Sequence, residues 1–283
     1  MTKKHKQRGR KDHYVPQGYL RGFIDPARAD CDKPLWHYDL EAKVWMEKSP
    51  GEVGWERGFY DYADTNAQLE HPDVTFAQFE REFPLVREHM LGRNFKGWVK
   101  QHRSFLLGYM QMMRARSPLF IQQQTQQNRN LRGATVTAVG PGNQVTVDSL
   151  ELRPFPENVV RNAVIGQMRQ EISKGPDWML DFNWCLRYTK SPADPFITGM
   201  HPLLLEGPAP TLEEAMKHPD TLIWFPICWQ ACLVGSLRRF DEGTFEAHRW
   251  VLDHERELFT RSSSGYVISP QKLNDGPFAR ASL

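Results

Sequence analysis

Leu180, Phe182, Trp184, Leu186 and Tyr188 alternate with Asp181, Asn183, Cys185 and Arg187, and a sustained period of two is what a half-buried β-strand requires. Upstream the period changes. Phe76, Phe79, Phe83, Val86 and Met90 recur at steps of three and four, the spacing of an amphipathic helix with one buried stripe. A chain holding both patterns in separate blocks is expected to be α+β, with an amino-terminal hairpin region, a helical middle at about residues 73–175 and a mainly antiparallel carboxy-terminal sheet.

The hairpin is read from two short aromatic runs, 35–40 and 43–47, joined tightly at Leu40-Glu41-Ala42 and ended by Ser49-Pro50-Gly51. In the middle block Pro84 implies a kink or a break. A longer helical pattern runs from Trp98 to about Arg132, with Phe105, Leu106, Tyr109, Met112, Met113, Leu119 and Phe120 inward and Pro118 as an interruption. Gly140-Pro141-Gly142-Asn143 between two β-prone runs predicts a peripheral hairpin. Val159, Val160, Ala163, Val164, Met168 and Ile172 mark a further helix, stopped at Lys174-Gly175-Pro176. Beyond the alternating strand come Phe196-Ile197-Thr198, a short helix opened by the capping box Thr211-Leu212-Glu213-Glu214, strands at 222–226 and 231–237, and a closing helix at 245–259.

With 283 residues the chain can bury a full core without staples, and its four cysteines have no Cys-x-x-Cys spacing. No window approaches the ~20 apolar residues of a membrane span, so a cytoplasmic protein is expected. Of 36 basic residues, Lys3, Lys4, Lys6, Arg8, Arg10 and Lys11 sit at the start, which leaves 30 against 34 acidic ones in the remainder. Residues 1–12 are therefore expected to be a basic, flexible tail, and 13–283 a single domain. Such a tail can meet an anionic ligand or nucleic acid through phosphate charge alone.

Candidate chemistry concentrates behind the tail, where Asp12-His13-Tyr14-Val15-Pro16-Gln17-Gly18-Tyr19-Leu20-Arg21 packs an imidazole, two phenols, a carboxamide and a guanidinium into a short stretch. Imidazole exchanges protons near neutral pH, so His13 is the leading acid/base candidate, with Tyr14 beside it; Gln17 and Arg21 suit substrate binding. The competing reading makes His13 a satisfied histidine that anchors an irregular segment. Arg114 and Arg116 offer further anion-binding guanidiniums, although a helix points residues two apart in different directions. The Gly-rich phosphate loop, the His-Glu-x-x-His pair and the Gly-x-Ser-x-Gly elbow are all missing. The sequence thus names no cofactor and no metal ligand set.

The stretch His13-Tyr14-Val15-Pro16-Gln17, followed by Tyr19-Leu20-Arg21-Gly22-Phe23, Leu35-Trp36-His37-Tyr38-Asp39, Phe59-Tyr60, Phe196-Ile197-Thr198 with His201-Pro202, and Phe225-Pro226, resembles the bacterial family called domain of unknown function 4238. The landmarks run in order from about residue 13 to 240. The resemblance implies no reaction. It does expose one departure, since family members carry a Ser-Asp pair where this chain has Gly199-Met200 ahead of His201. The carboxylate is absent: if it serves as a base or metal ligand in relatives, the role is lost here or passes to His201 as the nearest candidate, and if it only caps a turn, Gly199 serves that turn through backbone freedom. A comparison of Asp12-His13-x-x-Pro16 with ββα-metal nucleases would recruit Asn66 and His71, at a spacing far longer than that motif spans.

The expectation is a polar ligand or substrate pocket near His13, Tyr14, Gln17 and Arg21, completed by Arg116 and His201. In an enzymatic form, hydrolytic or nuclease-like, His13 moves the proton and Arg21 or Arg116 holds the anion, with no nucleophile identified. The alternative is a nucleic-acid-binding or defence-associated interaction protein that works through its tail.

Overall fold

The computed structural model describes residues 10–62, 72–92, 95–135, 138–139, 145–146, 151–208, 212–238, 243–262 and 265–273. The described chain enters through β1 (Lys11–His13), turns into α1 (Gln17–Leu20) and continues as a 3-10 turn over Arg21–Phe23. Pro16 stands just ahead of α1, where its fixed φ starts a helix without removing a ladder bond. The aromatic hairpin follows as β2 (Leu35–Asp39) and β3 (Val44–Lys48), its turn closed by Asp39 accepting from the amides of Glu41 and Ala42 while Lys43 takes a φ of 56°. β4 (Trp55–Arg57) pairs antiparallel with β1, placing His13 opposite Trp55. The basic run therefore joins the fold before its end. Lys11 and Asp12, expected in a flexible tail, are strand residues, and buried Asp12 accepts from the Tyr60 amide at 3.0 Å.

α2 (Asp73–Leu91), α3 (Phe95–Ala115), α4 (Pro118–Asn130) and α5 (Glu157–Lys174) make the helical middle. Pro118 interrupts as its ring geometry demands, and Ser117 caps the new helix by accepting from the Phe120 amide at 3.2 Å. Pro84 does not divide α2 in two. It has no N–H for the Glu80 carbonyl, and Gly18 of α1 lies against that spot: a Cβ built on Gly18 would stand 3.6 Å from the Glu80 oxygen and 3.7 Å from Pro84 Cγ. Between α4 and α5, β5 (Arg132–Thr135) pairs with β8 (Glu151–Pro154), and β6 (Ala138–Val139) with β7 (Val145–Thr146). The turn residues Gly140-Pro141-Gly142-Asn143 lie outside the described residues.

The remaining elements are β9 (Asn183–Tyr188), β10 (Thr198–Gly199), β11 (Leu204–Glu206), α6 (Leu212–Ala215), β12 (Leu222–Cys228), β13 (Ala231–Ser236), β14 (Thr244–Glu246), α7 (Arg249–Ser262) and β15 (Tyr266–Ser269). One sheet runs β11-β12-β13-β9-β14, antiparallel except where β14 lies parallel to β9. A second runs β10-β15-β2-β3, so the first hairpin completes a sheet with the end of the chain. The strand read from 180 begins only at Asn183, because Asp177–Met179 forms a 3-10 turn that leaves Leu180 exposed. Phe245, expected on the closing helix, belongs to β14; Thr211, the first residue of the expected capping box, lies outside the described residues.

Two apolar clusters explain the strand patterns. Trp184 and Leu186 of β9, Phe225 of β12 and Leu233 of β13 face the cluster shared with α2, α3 and α5. Cys185, Trp224, Cys232 and Val234 face the other, which is built with Phe259 of α7, Tyr38 and Val267. With both faces covered, β12 is buried nearly throughout despite Pro226, which sits at a register shift where a missing N–H is tolerated. α1 docks here: the buried Tyr19 hydroxyl donates to the Pro226 carbonyl at 2.6 Å and lies 2.9 Å from Thr198 Oγ1.

Candidate functional site

Strand β1 delivers His13 to the edge of the fold, where its half-buried ring sits with Nε2 3.3 Å from Nε2 of Gln17 in α1. Burial first, and the Lys11 charge second, lower its pKa below the ordinary histidine value. The imidazole is accordingly neutral at neutral pH and exchanges a hydrogen bond with the Gln17 amide. Gln17 and Arg21 line an open recess of about 370 Å³, faced by Ser49, Pro50 and Gly51 and bordered by Cys31 and Asp32. The opposite wall is fixed by a capping box, in which Glu52 accepts from the Ser49 amide at 2.8 Å. Lys11 Nζ donates to the Gly51 carbonyl and lies 4.1 Å over the Trp55 ring. Arg21 is exposed, and among the described residues its guanidinium makes no ion pair.

Tyr14 does not open into this recess. Its ring is buried 5.4 Å from that of Phe59, and burial raises its pKa. The Tyr14 and Val15 amides both donate to the Gly54 carbonyl, at 2.8 and 3.1 Å. Gly54 has a φ of 66°, and a Cβ there would stand 2.7 Å from Val15 Cβ, so only glycine fits. Arg116 is likewise enclosed, with 1 % of its side chain exposed: Nη1 meets Glu80 at 2.6 Å, Nε donates to Tyr60 Oη at 3.3 Å, and Nη2 donates to the His13 carbonyl. Burial opposes its charge, but Tyr60 and Glu80 more than offset that and raise its pKa. Arg116 holds the backbone of the motif and is not among the recess-lining residues.

Arg114 takes the other side of α3. Its Nη2 meets Glu171 at 2.9 Å, Nε donates to Gln111 at 3.3 Å, and the guanidinium lies over Phe120 and Trp178. It lines a second cleft, of about 230 Å³, together with His201. His201 is buried, its Nδ1 has no hydrogen-bond partner, and burial lowers its pKa to about 4. The seven candidate residues therefore divide in three: Gln17 and Arg21 lining the recess, with His13 joined to it only through Gln17; Arg114 and His201 at the cleft; Tyr14 and Arg116 inside. At the departure from the family pattern, Gly199 is a β10 residue paired with Val267, and a Cβ on Gly265 would meet Met200 Cε.

Sequence alone does not point to Glu80, or to Tyr60 beyond its place in the Phe59-Tyr60 landmark, as partners of Arg116, nor to Glu171 and Trp178 as partners of Arg114. No local signal reveals them, since they come from distant elements. The wall at Ser49, expected only as the end of the hairpin, carries a signal that could have found it, since Ser49-x-x-Glu52 is a capping-box pattern. Asn66 and His71 lie outside the described residues. Among the described residues, no group of three His, Cys, Asp or Glu side chains is placed to hold a metal, and no helix is long and apolar enough to cross a membrane.

A family model described as a protein of unknown function, DUF4238, matches residues 11–261. No curated protein and no solved structure matches the chain.

Proposed function

The chain belongs to the DUF4238 family, and we propose that it binds a small anionic ligand in the recess beside the His13-to-Arg21 stretch. The observation that carries this reading is Arg21: an exposed guanidinium without an ion pair among the described residues, next to the Gln17 amide in a concave site. A planar guanidinium grips a carboxylate or phosphate with two parallel hydrogen bonds, and an amide adds a third. The Lys11 ammonium at Gly51 adds positive charge to the same wall. Neutral His13, hydrogen-bonded to Gln17, is the proton acceptor in a hydrolytic version of this site. In the alternative reading the basic residues from Lys3 to Lys11 bind nucleic acid through phosphate charge, independently of the recess. A reducing, cytoplasmic setting suits the free thiol of Cys31 on its border.

The test is a titration of the purified chain with inorganic phosphate and with a nucleoside monophosphate, followed by protein NMR. Arg21→Ala is expected to weaken binding about tenfold and His13→Ala to abolish any hydrolysis, while deletion of residues 1–9 changes little. Equal binding by the parent chain and Arg21→Ala would defeat the reading. Binding that vanishes with the tail and falls steeply with salt would transfer the function to nucleic acid.

A further inference from the structure

The second cleft is a different kind of site. Its walls are mostly apolar, formed by Met113, Leu119 and Phe120 on one side and Leu203 and Leu204 on the other, with Arg114, His201, Ser117, Gln123 and Ser262 as its polar groups. Two of these have unused hydrogen-bonding capacity. His201 is 5 % exposed, its Nδ1 is sealed without a partner, and burial alone accounts for its lowered pKa, as for a ring nobody hydrogen-bonds. Neutral imidazole always carries one N–H, so this ring holds a donor and an acceptor that the described residues leave unmet. Arg114 is oriented from outside the cleft: Glu171 takes Nη2, Gln111 takes Nε, and Phe120 and Trp178 hold the plane. Its Nη1 has no hydrogen-bond partner among the described residues.

A third feature has the same sign. The first turn of α4 borders the cleft through Ser117, Leu119 and Phe120. Ser117 caps the Phe120 amide, and Ile121 bonds back to the Ser117 carbonyl, so the Leu119 amide at the positive end of the helix has no acceptor within it. Donors from a guanidinium, an imidazole and a helix start, set in an otherwise greasy cleft, call for an anion attached to an apolar body. Size narrows the body. A dry cavity of about 150 Å³ takes benzene, and this one measures about 230 Å³.

We infer that the cleft between α4 and the 201–205 segment binds an aromatic or similarly compact apolar carboxylate, its ring against Leu119, Phe120 and Leu203 and its carboxylate between Arg114 Nη1 and His201. The site is separate from the Arg21 recess, so either one can fail without the other. A carboxylate also selects the imidazole tautomer that donates toward it from Nε2, the ring nitrogen that is not sealed.

The probes are benzoate and 3-phenylpropionate, with 3-phenylpropanol as the neutral twin, titrated into the full chain by isothermal calorimetry and ligand-observed NMR. Saturable binding of at least one acid is expected, with the alcohol about tenfold weaker for want of the charge-assisted bonds. His201→Phe, which keeps a ring and removes the donor, is expected to lose about tenfold. Leu119→Trp tests the place without disturbing the core, because Leu119 is 43 % exposed at the cleft, and an indole there is expected to abolish binding. Absence of saturable binding by both acids overturns the inference, as does equal binding of the alcohol. Acid binding that survives Leu119→Trp unchanged overturns it too, and this variant decides the matter if His201→Phe does not fold.

Discussion

Arg114 and Arg116 are two residues apart at the end of one helix, carry the same side chain and do opposite work. Arg116 is closed in, with Glu80, Tyr60 and the His13 carbonyl taking its donors. Arg114 is steered by Glu171 and Gln111 yet keeps Nη1 in hand beside a cleft. The same contrast separates the enclosed half of the amino-terminal motif from Arg21, which projects from it without an ion pair among the described residues. A buried cation with every nitrogen engaged is architecture, whereas an oriented cation with a donor to spare is a candidate site. Residue type does not distinguish the two, and satisfaction does.

That contrast can be broken most directly at Arg116. Arg116→Met is expected to cost about 3 kcal/mol or more, because it strands Glu80 and a buried carbonyl, and urea denaturation reads the loss. An acid titration of stability comes next. The folded pKa of His201 lies at about 4, below the unfolded value near 6.5, so the unfolded state binds the extra proton between them. Stability is then complete above pH ~6.5 and falls by about 3 kcal/mol as the pH drops toward 4. His201→Gln should flatten that slope, and an unchanged slope would mean that the ring is not held neutral by burial. Arg114→Met is expected to cost only about 1 to 2 kcal/mol, since the Arg114 side chain is itself 15 % exposed against 1 % for Arg116, while abolishing carboxylate binding in the cleft. Arg21→Ala should move stability by less than about 0.5 kcal/mol and be felt only by a ligand. If Arg21 and Arg116 proved equally costly to remove, the division between site and scaffold would collapse.

How much of this was legible depended on distance along the chain. The helical stripe from Phe76 to Met90 and the break at Pro118 are local facts, and the fold repeats them. The alternation through Trp184 and Leu186 announced a strand but not that Cys185, on its other face, is buried too, because covering both faces is a property of the assembled layers. The pairing of β15 with β2, Tyr266 opposite Asp39, joins the two ends of the chain and leaves no trace in either segment. At the candidate site, helix geometry alone foretold that Arg114 and Arg116 diverge. Their partners Glu171 and Glu80 arrive on other helices, so which of the two stays available was settled by tertiary packing.

The bond from Tyr19 to the Pro226 carbonyl spans 207 residues, and this has a consequence for the order of events in the cell. At roughly 5 to 20 residues per second, a ribosome needs on the order of ten seconds or more to supply the second partner after the first. Throughout that interval Tyr19, Leu20 and Phe23, all fully buried in the finished protein, can meet α2 but lack the β12 side of their seat. The segment that best marks this family is made early and fully seated only once the carboxy-terminal sheet exists, a high sequence separation of the kind that slows folding.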